Sequence, residues 1–417
     1  MVNFKDLDDI LQNNDDLSFK LFIESGAAAK SQSLLSGYKD IIVICDDNTK
    51  TIAQQLFVDK KIYSLGSCVK PTFKNVNQVI DIIKSANLLI AVGSGTINDI
   101  CKYAAFINKT DYFVYATAPS MNGYFSITSS LISEDDNIKK SYLARVPTAI
   151  IMDLEIIANA PMRLIQSGLG DLLCRSTVYV DWLIGSQLFK MHKFNQKFCN
   201  ILIKHEKNLL ANIDLILKRD ITAMQKMCEV IILQGAMMCV DNSSNPASQS
   251  EHMVAHLYNQ LCSYNTNHTH GEEIALTTTM MLSLQKQILA SSDLIFNIDN
   301  TNNYKDLPCF EIKLDCYKKL IANNMLNNNS WLQIKPHIEA IHYNSGEILS
   351  AFKKIGLPMT IDDLNWDYQK VKQAITEAAF YRERYTILDI AILTCRLQSF
   401  LRSIVNSVRS GASSTEV

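Results

Sequence analysis

The sequence has little that would draw it to nucleic acid or to a membrane. Its 40 basic and 42 acidic side chains leave a formal charge of −2, so no broad positive field exists to attract phosphate backbones. The opening residues, Met1-Val-Asn-Phe-Lys-Asp-Leu-Asp-Asp9, are acidic where a secretory leader would be basic. No apolar run reaches the roughly 18 residues that cross a bilayer; the stretches 149–157 and 229–240 are short or interrupted. Eleven cysteines are an odd number without a Cys-x-x-Cys pair, which disfavours a disulfide framework and a thiolate zinc site. No internal repeat is evident. The expectation is a soluble, cytoplasmic protein with free thiols and no nucleic-acid partner.

What is present suffices for a large core. At 417 residues and 47% apolar composition the chain exceeds what a single core holds, about 250 to 300 residues, so two domains are expected. Short apolar runs at 41–45, 61–65, 88–92, 112–116 and 148–152 alternate with amphipathic stretches such as 51–57 and 75–84, the pattern of a doubly wound, Rossmann-like α/β domain with a parallel sheet. Beyond Asp153 helical periodicity takes over, at 169–188, 198–217, 222–240 and 277–289. The boundary falls near Asn159-Ala-Pro161, giving an α/β domain over 1–160 and an all-α domain over 161–417. The asparagine-rich stretches 297–304 and 323–330 read as loops, and the tail 410–417 as frayed.

The run Leu88-Leu-Ile-Ala-Val92 feeds Gly93-Ser94-Gly95-Thr96-Ile97 and then a helical pattern through Lys102. Strand, glycine turn and helix start offer unpaired N–H groups and a positive dipole end to a pyrophosphate. Asn98 stands where the dinucleotide fingerprint has its third glycine, so this motif alone is weak. A second loop, Thr117-Ala118-Pro119-Ser120-Met121-Asn122-Gly123, follows the next strand at the same carboxyl edge of the sheet.

Four of the eight histidines lie between His252 and His270. On a helix His252 and His256 share a face, and His270 before Gly271 suits an element's edge. Glu251-His252-x-x-x-His256 is not the His-Glu-x-x-His of zinc proteases. Ser167-Gly168-Leu-Gly-Asp171 places two glycines before an acid within a helical region, a costly choice unless Asp171 must be presented to something. Aspartate with two histidines makes a divalent-cation site with an open position. His192, His205, His268, His337 and His342 are read as ordinary hydrogen-bonded histidines.

Taken together, Ala91-Val-Gly-Ser-Gly-Thr-Ile-Asn-Asp-Ile100, Thr117-Ala-Pro-Ser-Met-Asn-Gly123, Gly168-Leu-Gly-Asp-Leu-Leu173 with Asp181-Trp182, Pro246-Ala-Ser-Gln-Ser-Glu-His252, His270-Gly271 and Glu383-Arg-Tyr-Thr-Ile-Leu-Asp389 resemble the glycerol-1-phosphate dehydrogenase family. The match is closest to its bacterial branch, within the superfamily of dehydroquinate synthases, glycerol dehydrogenases and iron-containing alcohol dehydrogenases. The resemblance implies a dehydroquinate synthase-like fold and a zinc or nickel ion on Asp171, His252 and His270, with Asp171 and His256 facing the substrate. It implies NAD or NADP on Gly93, Ser94, Gly95, Thr96, Ile97, Thr117, Ala118, Pro119 and Ser120, with Ser126 near the nicotinamide and Asp46 toward the adenosine. The implied reaction interconverts glycerol-1-phosphate and dihydroxyacetone phosphate in a homodimer, with His256 relaying the proton.

The sequence departs from the family at three places that bear on activity. Asn122 replaces an aspartate expected to touch the substrate, Asn245 an arginine, and Gln249 a glycine; Cys174-Arg175 replaces Gly-Lys. Two other readings are a dehydroquinate synthase-like cyclase and a non-catalytic paralogue that keeps the fold.

Overall fold

The computed structural model describes residues 5–11, 18–134, 139–264, 267–341 and 345–410, side chains beyond 403 excepted. His342 and the tail from 411 onward lie outside these residues. The chain divides into two compact units, Met1–Leu172 with Asn200–Ser243, and Leu173–Cys199 with Ser244–Val417.

The first unit is built on a parallel six-stranded sheet. Its strands are β1 (Lys20–Glu24), β2 (Ile41–Cys45), β3 (Lys61–Ser64), β4 (Leu88–Gly93) and β5 (Asp111–Ala116), with β8 (Ala149–Asp153) after a separate antiparallel pair, β6 (Thr128–Ile132) and β7 (Lys139–Leu143). The order across the sheet is β1-β8-β5-β4-β2-β3. All five strands expected from the sequence are present. β1 and the β6–β7 hairpin are additional; β1 is a half-exposed edge strand and β7 is mostly polar, so neither carries the continuous apolar run of a central strand.

Both faces of the central strands are buried, which is why β2, β4 and β8 read as unbroken apolar runs. Ile41, Val43, Cys45, Leu88, Ile90, Val92, Phe113, Tyr115 and Ile151 pack on one face with Ala53 and Phe57. Because β3 lies on one side of β2 and β4 on the other, the strand order reverses between β2 and β4. The carboxyl edge there is where doubly wound sheets open a crevice.

Helix Ile221–Asp241 completes this unit. It is long and apolar enough to cross a membrane, contrary to the expectation that no such run exists, but 78% of its apolar window is buried. Gly235 lets it lie directly on the backbone after β5: a Cβ there would sit 2.2 Å from the Phe125 carbonyl oxygen.

The second unit contains no strand among its described residues, as expected for the helical half. The stretch read as one helix over 169–188 is two, Met162–Leu173 and Arg175–Gln187. The first asparagine-rich stretch is a 3-10 helix, Ile298–Tyr304, and the second ends inside helix Asn328–Ile341. Side-chain caps explain both corrections: Asn297 accepts from the Asp299 N–H, and Asn327 accepts from the Ser330 N–H.

The segment from Glu383 to Asp389 is a keystone of this unit. Thr386 and Asp389 form a capping box for helix Ile387–Leu393. The Asp389 carboxylate also accepts from Lys313 Nζ and Tyr317 OH, both at 2.5 Å, with Lys313 and Asp389 fully buried.

Candidate nucleotide edge and metal centre

The expected cofactor residues gather at the carboxyl edge of the first unit's sheet. β4 ends in Gly93, and helix Gly95–Asn108 starts at once with Ser94 as its extended N-cap. The first N–H groups of that helix lack intrahelical partners. Glycine is required at 93, because a Cβ would lie 2.7 Å from Ile97 Cβ. Thr117 follows β5 and donates its N–H to the Gly93 carbonyl at 3.1 Å. Asp46 follows β2; its carboxylate accepts from Thr49 N–H (2.8 Å) and Thr49 Oγ1 (2.7 Å), while Thr49 Oγ1 also lies 2.9 Å from the Val92 carbonyl. The loops after β2, β4 and β5, carrying Asp46, Gly93–Ser94–Gly95–Thr96–Ile97 and Thr117–Ala118–Pro119–Ser120, are thus tied side by side.

Gly168 has a use beyond the one its spacing suggests. It lies within helix Met162–Leu173, and a Cβ on it would stand 1.8 Å from the Pro119 carbonyl oxygen. Helix backbone rests directly on the 117–120 loop, which only glycine permits. Asp171, one turn later on the same helix, is 1% exposed.

Asn122 Nδ2 lies 3.5 Å from Gln234 Oε1, and Gln234 Nε2 donates to Glu206 Oε1 at 3.2 Å. Glu206 and Gln234 are both buried. Glu206 therefore turns the oxygen of Gln234 toward position 122, where an amide can donate and a carboxylate cannot. Asn122→Asp is expected to cost about 1 kcal/mol in urea denaturation, and Glu206→Gln, which frees Gln234 to turn, is expected to relieve that cost in the double variant. Additive effects of the two substitutions would exclude the coupling.

Ser126 is 1% exposed. Its hydroxyl lies 2.8 Å from the Thr128 carbonyl and 3.0 Å from Lys102 Nζ, so its side chain is committed to the protein interior.

In the second unit, helix Ser250–Leu261 carries His252 and His256, and helix His270–Leu289 opens on His270 behind a Thr269–Glu272 capping box. The three rings converge: centroids lie 5.1 Å apart for His252–His270, 5.8 Å for His252–His256 and 5.9 Å for His256–His270. Ligand atoms of His252 and His270 come within 4.8 Å of each other, close enough for small side-chain adjustments to put two imidazoles on one cation.

His252 is oriented by Glu251, whose Oε1 lies 2.7 Å from Nδ1. A carboxylate only accepts, so Nδ1 carries the proton and Nε2 presents its lone pair. Burial opposes the charge on Glu251, but hydrogen bonds from His252 and from the Gln249 N–H outweigh it and hold the carboxyl below its ordinary range. Thr177 Oγ1 donates to its other oxygen at 3.0 Å.

The His252 helix is anchored by Asp181, which accepts the N–H groups of Ser250 (3.2 Å) and Ile387 (2.9 Å). Burial, and next the neighbouring charge of Glu251, push the Asp181 carboxyl up to about 7. The preceding loop holds Asn245 and Gln249 inside, 3% and 2% exposed, with Gln249 Nε2 donating to the Asn245 carbonyl at 2.8 Å. Arg175 donates to the Ala247 carbonyl at 2.6 Å, and Arg384 to Ser244 Oγ at 3.0 Å. Arg175, Asn245 and Gln249 thus fall in and around one packed loop.

Arg382 was not singled out from the sequence. Its Nη2 lies 2.8 Å from His256 Nδ1. A guanidinium has no lone pair, so Nδ1 accepts and the proton of the neutral ring sits on Nε2. The remaining histidines take ordinary places: His205 bonds Asp6 at 2.6 Å, His337 lies in helix Asn328–Ile341, and His192 and His268 lie in loops.

A family model for iron-containing alcohol dehydrogenases matches residues 22–161. The glycerol dehydrogenase structure of Schizosaccharomyces pombe superposes with a TM-score of 0.62 over 95% of this chain and 92% of that one, at 16% identity, a likeness that shows the fold. The fold class is therefore that of the glycerol dehydrogenases and iron-containing alcohol dehydrogenases.

Sequence relatives narrow this. Glycerol-1-phosphate dehydrogenase (NAD(P)+) of Staphylothermus marinus is 33% identical over 324 residues, 77% of this chain and 74% of that protein. The chain belongs to the glycerol-1-phosphate dehydrogenase family. The enzyme of the same name from Thermococcus sibiricus is 29% identical over 215 residues, 51% of this chain and 60% of that protein, so against that relative the matched stretch spans under two thirds of its length.

Proposed function

We propose that this protein interconverts glycerol-1-phosphate and dihydroxyacetone phosphate, or a closely related small polyol phosphate, using NAD or NADP and one divalent cation. The observation that carries the reading is the convergence of His252, His256 and His270 from two helices, with Glu251 setting the ring of His252, in a chain of this family. Asp171, His252 and His270 are the ligands we assign, and zinc or nickel suits two imidazoles and a carboxylate. When bound, the cation would polarise the C2 carbonyl and offset charge on its oxygen.

The chain's own residues supply the rest. Glu251 keeps the Nε2 lone pair of His252 available. His256, with Nδ1 held by Arg382, offers an Nε2–H donor to a substrate oxygen; relaying a proton through this ring requires Arg382 to withdraw from Nδ1. Asn122 supplies a neutral amide where relatives carry a charge. Residues 1–160 hold the dinucleotide in this reading, its pyrophosphate at Gly93, Ser94, Gly95, Thr96 and Ile97 beside Thr117, Ala118, Pro119 and Ser120, its adenosine toward Asp46 and its nicotinamide near Ser126. Residues 161–417 contribute the metal and substrate groups. The reading includes a cytoplasmic homodimer and no nucleic-acid partner.

Purified protein supplied with zinc or nickel is expected to oxidise NADH or NADPH in the presence of dihydroxyacetone phosphate. Chelation should abolish the rate and metal restore it. Absence of turnover with any triose or polyol phosphate, with metal and dinucleotide both bound, would favour the non-catalytic reading.

A further inference from the structure

Lys102 is a buried cation that the reading above does not use. It lies on helix Gly95–Asn108, two turns beyond its glycine start, and is 0% exposed. Its Nζ lies 2.6 Å from the Gly123 carbonyl oxygen, 3.0 Å from Ser126 Oγ, and 3.2 Å from the carbonyls of both Ser126 and Thr128. Four oxygens from one six-residue segment thus surround one nitrogen.

We propose that Lys102 is a positioning residue for the dinucleotide: its ammonium gathers the oxygens of Gly123, Ser126 and Thr128 and holds the segment after Asn122 in the shape that receives the nicotinamide end. The inference rests on the dinucleotide reading given above. The same helix offers its N-terminal N–H groups at Gly95 and its lysine two turns on, so one rigid element sets both the phosphate end and the 123–128 segment. Charge is essential to this role. An ammonium brings three hydrogens to the four oxygens, whereas a neutral amine brings two and turns a lone pair toward a carbonyl.

Burial pulls the lysine down to about 8, against the charge of Asp99 on its own helix; Cys239 on helix Ile221–Asp241 also faces it, as a thiol that burial pushes up to about 11. Burial pushes the Asp99 carboxyl up, while Lys102 and then Lys139 of β7 oppose that shift. The sign follows: Lys102 is cationic below about 8 and neutral above, so the segment is gathered at neutral pH and loosened in alkali.

The test is NADH binding to the full chain, followed by nicotinamide fluorescence. Lys102→Met, which fills the space without charge, is expected to weaken binding about tenfold, as the loss of charge-assisted hydrogen bonds implies, and to flatten its dependence on pH. Lys102→Ala should bind as weakly and recover when propylamine is added at neutral pH, while Lys102→Met should not. The unaltered protein needs no substitution to be decisive: its affinity should fall between pH 7 and pH 10. Equal affinity in Lys102→Met, or a flat profile in the unaltered protein, overturns the inference. If the unaltered protein binds neither NADH nor NADPH at any pH, the dinucleotide reading itself fails and takes this one with it.

Discussion

Gly168→Ala is expected to destabilise the first unit by several kcal/mol and to abolish tight dinucleotide binding. Intrinsic propensity argues the other way, since alanine in a helix interior is better than glycine by about 1 kcal/mol. Geometry decides. The new Cβ would stand 1.8 Å from the Pro119 carbonyl oxygen and 2.9 Å from its carbonyl carbon, so backbone must move on one side of the contact. Met227 Cε, 2.7 Å away, can swing aside as the end of a flexible side chain; a loop tied to its neighbours at the sheet edge cannot do so cheaply. Costs above about 4 kcal/mol are the mark of such backbone collisions. Urea denaturation and NADH titration of the same variant measure both consequences, and a Gly168→Ala protein as stable as the parent would refute the close approach.

His252→Ala is expected to lose the bound cation and lower turnover about a thousandfold, the effect of removing several kcal/mol of charge stabilisation. Glu251→Gln should lower metal affinity by a smaller factor, about 10 to 100, because it alters only the hydrogen bond that orients the ligand. His256→Ala should keep the metal and lose turnover, which separates a ligand from a group that touches substrate. Metal content after dialysis, set beside the rate of NADH oxidation, distinguishes the three. Full metal occupancy in His252→Ala would remove His252 from the centre.

The sheet was legible because two-sided burial writes itself into sequence as unbroken apolar runs such as Ile41–Cys45 and Leu88–Gly93. His252 and His256 were legible as a pair because their four-residue spacing sets both on one helix face; His270, at the start of the next helix, was read from its place in the cluster and from the family resemblance. Contacts between segments distant in the chain were not. Gly168 was read only as a device for presenting Asp171; its close approach to Pro119, forty-nine residues earlier, is recorded by no local pattern. Lys102 showed only helical phase, because its partners lie between Gly123 and Thr128, 21 to 26 residues on. Arg382 stood beside a recognised motif, yet its contact with His256 spans 126 positions.

The chain composes its first unit from two pieces, Met1–Leu172 and Asn200–Ser243, and this has a consequence during synthesis. When Leu172 leaves the ribosome, the helix whose Gly235 packs on Phe125 has yet to be made. At roughly 5 to 20 residues per second, the nascent unit waits several seconds without the helix that packs on Gly123–Phe125 and Leu154–Ala158. This window is where a chaperone would find the polypeptide, and where a fragment cut at residue 160 would remain indefinitely.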